Sequence, residues 1–355
     1  MMSGFMSNRP HHFGTTNLND SSVPHIHLVN PMDNPCGGSE NRTAELYALL
    51  SKVANVTVWS EHKISSEFAR RLPIKKINRY LGNYPKEGTL VFVGCYFKIG
   101  SWLKHFRPGR IIALYNTPDA QNLEQFLDYL RLLGLDSICE YVFASEWLRA
   151  RTGLPGIVQV SPINLNKFRP KFKSSQHDGR AFTIGRLSRD VPEKHHPDDI
   201  GIYQWLAGMG GASRIMGGTV LEKYLNNHPG VMLMPQGALN PEVFLCGLDC
   251  FFYRTSSEWP EPHGRVVTEA MACGLPVVCG SDGGYREFIK HGINGFLIND
   301  NQEAQEIFML LKNDQEFSSQ IGIAARKSME EMFSSESIVE ILKYYCGSIG
   351  FHENI

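Results

Sequence analysis

The chain alternates short apolar runs, each the length of a strand, with amphipathic segments long enough for helices, and it does so twice. Residues 25–30, 56–59, 90–94, 110–116, 141–144 and 158–161 read as strands of the first series. A polar, proline-containing stretch over 164–180 breaks the rhythm, and runs at 181–185, 214–217, 231–234, 250–254, 276–279 and 295–298 restart it. Strands separated by helices imply parallel sheets with right-handed crossovers. The expected fold is therefore α/β, with two doubly wound parallel-sheet domains whose ligands sit outside the carboxyl ends of the strands.

At 355 residues the chain is too long for one ordinary core, which agrees with two domains. Residues 1–22 lack periodicity and read as a disordered leader. The first domain is expected over 23–165, a linker over 166–180 and the second domain over 181–335. The stretch 336–355 reads as a C-terminal helix free to pack back on the first domain. A net charge of −1 gives no electrostatic case for nucleic acid as a partner. No apolar run approaches a membrane span, so a cytoplasmic protein is expected; without a basic amphipathic helix, peripheral membrane contact is allowed but unsupported. The eight cysteines have no Cys-x-x-Cys spacing and several lie in apolar runs, which favours buried thiols over disulfides or zinc. His195 and His196 on a loop read as solvated, and no metal is expected.

Residues 258–284, EWPEPHGRVVTEAMACGLPVVCGSDGG, carry the chemistry. Pro260 to Gly264 form a rigid turn after the strand 250–254, and Gly264 opens a helix expected over 265–272, ended by Gly274 and Pro276. The amino end of that helix points out of the sheet, where free N–H groups and the helix dipole suit a diphosphate. Glu269 lies one turn in among Val266, Val267, Ala270 and Met271, so its carboxylate needs a partner. Its two oxygens match the vicinal hydroxyls of a ribose; the alternative is a pair with Arg265, four residues earlier. Gly283 and Gly284 form a second turn where backbone approaches a ligand closely, or a plain structural turn.

The run EPHGRVVTEAMACGLPVV followed by GGYREFIKHGINGFLI, with seven residues between Glu261 and Glu269, resembles glycosyltransferase family 4, the retaining GT-B enzymes also called glycosyl transferases group 1. The resemblance implies two Rossmann-like domains facing across a cleft. It implies that Glu269 binds the donor ribose, that Glu261 contacts the transferred sugar near the reacting centre, and that His263, Gly264 and Arg265 lend donors to sugar and diphosphate. Gly185-Arg186-Leu187 resembles the family's Gly-Arg-Leu element, so Arg186 and a following lysine would neutralise the leaving diphosphate. Lys194 is chosen although it lies eight residues on instead of about five, with Arg189 as competitor. In the first domain, Gly37 and Gly38 precede a helix beginning near Glu40, and by resemblance face the diphosphate across the cleft. Where many members carry a histidine this chain has Asn116, able to position a sugar or acceptor but not to take a proton near neutrality.

The expected function is retaining transfer of a hexosyl group from a nucleoside diphosphate sugar to a hydroxyl of a glycan, glycolipid or small molecule, in polysaccharide or glycolipid synthesis, with no cofactor. Two rivals stay open: a nucleotide-sugar epimerase or phosphorylase on the same fold, and a non-catalytic donor-binding partner.

Overall fold

The computed structural model describes residues 23–170 and 179–347. The leader 1–22, linker residues 171–178 and the terminal residues 348–355 lie outside the described residues.

The chain forms two parallel sheets. The first holds β1 (His25–Val29), β2 (Asn55–Ser60), β3 (Ile74–Lys76), β4 (Glu87–Val93), β5 (Arg107–Tyr115), β6 (Cys139–Phe143) and β7 (Ile157–Val158), in the order β3-β2-β1-β4-β5-β6-β7. The second holds β8 (Thr183–Leu187), β9 (Ala212–Met216), β10 (Val231–Met234), β11 (Cys250–Tyr253), β12 (Val277–Gly280) and β13 (Phe296–Ile298), in the order β10-β9-β8-β11-β12-β13. All twelve strands expected from sequence are present, with ends shifted by three residues at most. The addition is β3, too short for its alternation to register, at the edge of the first sheet.

Central strands carry apolar residues on both faces because helices cover both faces. In β4, Phe92 joins the side containing Trp102 and Phe126, while Val91 and Val93 join the side containing Leu46 and Ile112. The last helix, Ser335–Cys346, crosses back to this first domain and adds Leu342 and Tyr345 to its core. The Tyr345 hydroxyl donates to Gln159 Oε1 at 2.8 Å. In each sheet the strand order reverses once, between β1 and β4 and between β8 and β11. Loops leaving opposite sides of such a reversal separate and leave a crevice at the carboxyl ends.

Candidate active site

Both reversals open onto the same cleft, which holds two adjoining cavities of about 430 and 230 Å³. The larger is lined by Glu40, Tyr96, Asn116, Trp259, Glu261 and His263 among others. The smaller is lined by Lys167, Met216, Leu239, Tyr253 and Glu269 among others. Gly38, Arg189, Lys194, Glu261, Gly264 and Arg265 line both, so the wall between the cavities is a strip of two helix starts, three cations and one carboxylate.

On the second-domain side, Gly264 caps the helix Arg265–Ala272 in the left-handed conformation (φ 78°), and a Cβ there would meet Tyr285 Cδ1 at 2.7 Å. Two reasons thus require glycine at this turn. Val267, Ala270 and Met271 enter the core and turn Glu269 toward the smaller cavity. Arg265 Nε donates to Glu269 Oε1 at 2.9 Å, and Arg265 Nη1 reaches across to Ser161 Oγ and the Pro162 carbonyl, both at 2.8 Å. The pair four residues apart therefore exists, within the cleft instead of on the outer helix surface. Burial raises the Glu269 pKa, and Arg265 opposes the rise.

Glu261 stands at the junction of the cavities. Its Oε2 accepts from Lys194 Nζ at 2.6 Å and from the Tyr253 hydroxyl at 2.7 Å. Burial works to raise the Glu261 pKa, but Lys194 and the two hydrogen bonds outweigh it and hold the group ionised. The indole of Trp259 lies under both Lys194 Nζ (5.4 Å) and the Arg189 guanidinium (5.3 Å). Two cations thus share one aromatic platform at the cleft wall.

Three sequence expectations need correction. Arg186 does not reach the cleft: its side chain is 0% exposed and lines neither cavity. Strand β8 is central, and the guanidinium turns into the layer beneath, where it meets Asp199 at 3.5 Å, the Arg254 carbonyl at 3.0 Å and the Lys194 carbonyl. Asp199 also pairs with Arg254 at 2.6 Å, so Arg186 belongs to a buried ion cluster that sets the floor of the site. The exposed cation of that loop is Arg189. Gly283 and Gly284 also line neither cavity. A Cβ on Gly284 would meet the Pro262 carbonyl oxygen at 2.0 Å, and Gly284 N–H donates to the Glu261 carbonyl at 2.8 Å. These glycines let the turn press against residues 261–263 and fix the Glu261 backbone. His195, read as solvated, is buried and its Nε2 bonds the Gly217 carbonyl at 2.8 Å.

His263 lines the larger cavity. Burial, with Arg42 nearby, lowers its pKa to about 3, so the ring is neutral at ordinary pH. Asn116 lines the same cavity beside Thr117 and Asp119. Among the described residues no group of three or more His, Cys, Asp or Glu is placed to hold a metal ion.

On the first-domain side, Asn30 fixes the turn after β1 by donating to the Val93 carbonyl (2.7 Å) and Ser39 Oγ (3.0 Å). Gly37 caps the helix Gly38–Leu50 and lines the larger cavity, while Gly38 lines both. Sequence reading passed over Glu40, whose carboxylate folds back over Gly37 so that a Cβ there would meet Oε2 at 2.0 Å. Burial, aided by Asp33, pushes its pKa from 4.5 to about 7. A carboxyl whose folded pKa is raised contributes stability that is complete below about pH 4.5 and lost as pH rises through about 7, on the order of 3 kcal/mol. Glu40→Gln is expected to remove that slope, leaving the variant more stable than the parent at about pH 8 in urea melts. Parallel pH profiles for the two proteins would contradict this burial account.

Two doubly wound domains with facing reversals and a bipartite cleft define the GT-B architecture. Residues 233–328 match the model of the family described as Glycosyl transferases group 1, a stretch that contains both Glu261 and Glu269. The fold of HepE from Anabaena, solved in complex with UDP, superposes with a TM-score of 0.71 at 16% identity, covering 92% of this chain and 100% of that one. Spore coat protein SA of Bacillus subtilis (strain 168) is 35% identical over 105 residues, 28% of this chain and 25% of its own. N-acetyl-alpha-D-glucosaminyl L-malate synthase of Bacillus anthracis is 40% identical over 81 residues, 22% of this chain and 21% of its own. The chain thus matches a quarter or less of the length of these curated relatives. The resemblance to glycosyl transferases group 1 read from the sequence holds, and so does the two-domain fold.

Proposed function

We propose that the protein is a retaining glycosyltransferase that moves a hexosyl group from a nucleoside diphosphate sugar to a hydroxyl acceptor, without a metal. The observation that carries this reading is the wall shared by the two cavities. A nucleotide in the smaller cavity and a sugar in the larger one can be joined only through that wall, and it offers what a diphosphate needs: the helix starts at Gly38 and Gly264, with Arg189 and Lys194.

In this arrangement Glu269 receives the ribose hydroxyls, and Glu261 and His263 face the transferred sugar beside Asn116. Arg189 and Lys194 stabilise charge that grows on the departing diphosphate, where a preorganised contact lowers the barrier most. No side chain is assigned as covalent nucleophile; the acceptor attacks from the face the diphosphate leaves, and the phosphate takes its proton. A cleft closed by both domains keeps water from the donor. HepE was solved with UDP-glucose as well as UDP, which supports UDP-hexoses as the first donors to try. Glycans and glycolipids are the acceptor classes proposed.

Glu269→Gln is expected to weaken UDP binding about tenfold, by loss of a charged acceptor to two hydroxyls. Calorimetry reads this directly, with thermal melts confirming that the variant is folded. Unchanged affinity would overturn the ribose assignment.

A further inference from the structure

Outside the cleft, the most unusual surface is the turn after the edge strand β3. Tyr80 is 90% exposed and Leu81 79% exposed, side by side at its tip. The turn is not loosely held. Asn78 and Asn83 exchange backbone hydrogen bonds of 2.8 and 3.0 Å, and Asn78 Oδ1 accepts from the N–H groups of Tyr80 (3.0 Å) and Leu81 (3.2 Å). The Arg79 guanidinium sits 5.3 Å from the Tyr80 ring centroid. The fold therefore presents two large apolar side chains to solvent on a braced support.

The charge around them is as lopsided as the whole chain is balanced. Residues 63–86 carry seven Lys and Arg against the single acid Glu67, in a protein of net charge −1, and all seven cations are exposed. Lysines on an edge strand discourage pairing with other sheets, which accounts for Lys75 and Lys76. It does not account for Lys63, Arg70 and Lys86 beyond the strand, nor for an exposed apolar tip on the same segment. An exposed aromatic and aliphatic pair on a segment this rich in exposed cations matches the interface of an anionic bilayer, where the apolar groups enter the headgroup layer and the cations meet lipid phosphates.

We propose that the surface formed by residues 63–86 docks the protein on an anionic lipid bilayer, with Tyr80 and Leu81 inserted and the flanking cations against the headgroups. The same surface includes the helix Ser66–Arg71, whose Glu67 and Arg71 line the smaller cavity, so docking brings the mouth of the cleft to the membrane. The docking itself does not depend on the chemistry assigned to the cleft.

Cosedimentation of the full chain with vesicles tests it without any sugar donor. Vesicles of phosphatidylglycerol and phosphatidylcholine in equal parts are expected to retain the protein, phosphatidylcholine alone is not, and about 0.5 M salt is expected to release it. Tyr80→Ser with Leu81→Ser should weaken retention about tenfold, and Lys75→Glu with Lys76→Glu should weaken it at least about tenfold. UDP affinity, measured by calorimetry in the same variants, should stay unchanged and reports that they are folded. Equal retention on both vesicle types, or vesicle binding insensitive to the Tyr80 and Leu81 changes, would overturn the proposal. So would binding to soluble heparin with none to anionic vesicles, which would assign the surface to a polyanion instead.

Discussion

Lys194→Ala is expected to lower kcat/KM for glycosyl transfer about 100- to 1,000-fold, the range seen when one preorganised charge donor is taken from a developing anion. The lysine is placed for this by an unusual support: Glu261 Oε2 at 2.6 Å on one side, the Trp259 ring on the other, and a position in the wall common to both cavities. The same contacts give it a structural share. Removing the ammonium leaves Glu261, among the described residues, with the Tyr253 hydroxyl as its side-chain donor, at a cost of about 1–3 kcal/mol in stability. Steady-state rates taken well below the melting temperature separate the two effects, and Lys194→Arg should recover part of the activity by keeping the charge. A loss in Lys194→Ala of only a few-fold would remove the lysine from the diphosphate site.

Arg186→Ala should behave in the opposite way. It is expected to cost about 3–5 kcal/mol in stability, because it breaks a buried network joining Asp199 and the carbonyls of Arg254 and Lys194. UDP affinity, measured at a temperature where the variant is folded, should change by less than about threefold. Chemical denaturation and calorimetry on the same preparation decide between the structural and the diphosphate role. A stable variant that has lost UDP binding would return Arg186 to the cleft.

The contrast between these residues marks what the sequence could say. Periodicity sufficed for the strands and for the helix Arg265–Ala272, because apolar spacing and the Gly and Pro boundaries are local properties. The same helix pattern placed Glu269 among apolar neighbours as a carboxylate in need of a partner, and Arg265 at the cleft wall is one. Arg186 was misplaced because a side chain's destination depends on what packs beneath its strand. Asp199, thirteen residues away, and Arg254, sixty-eight away, create an ionic well that no short motif reveals. The longer loop between Arg186 and Lys194 was visible, and it is this loop that carries Arg189 to the cleft. Gly283 and Gly284 were misread for a similar reason, since the Tyr285 ring is pressed against the first and the Pro262 carbonyl against the second. Glu40 gave a faint signal, an acid two residues after a double glycine at a helix start. Only the fold shows how little water reaches it.

The central claim is transfer of the sugar with its configuration kept. NMR of the products formed from anomerically 13C-labelled UDP-hexoses, with and without a panel of hydroxyl acceptors, tests it most directly. The account predicts a new glycoside carrying the label in the donor's own anomeric configuration, formed only when acceptor is present. An isomerised sugar nucleotide produced without acceptor, or a glycoside of inverted configuration, would contradict it.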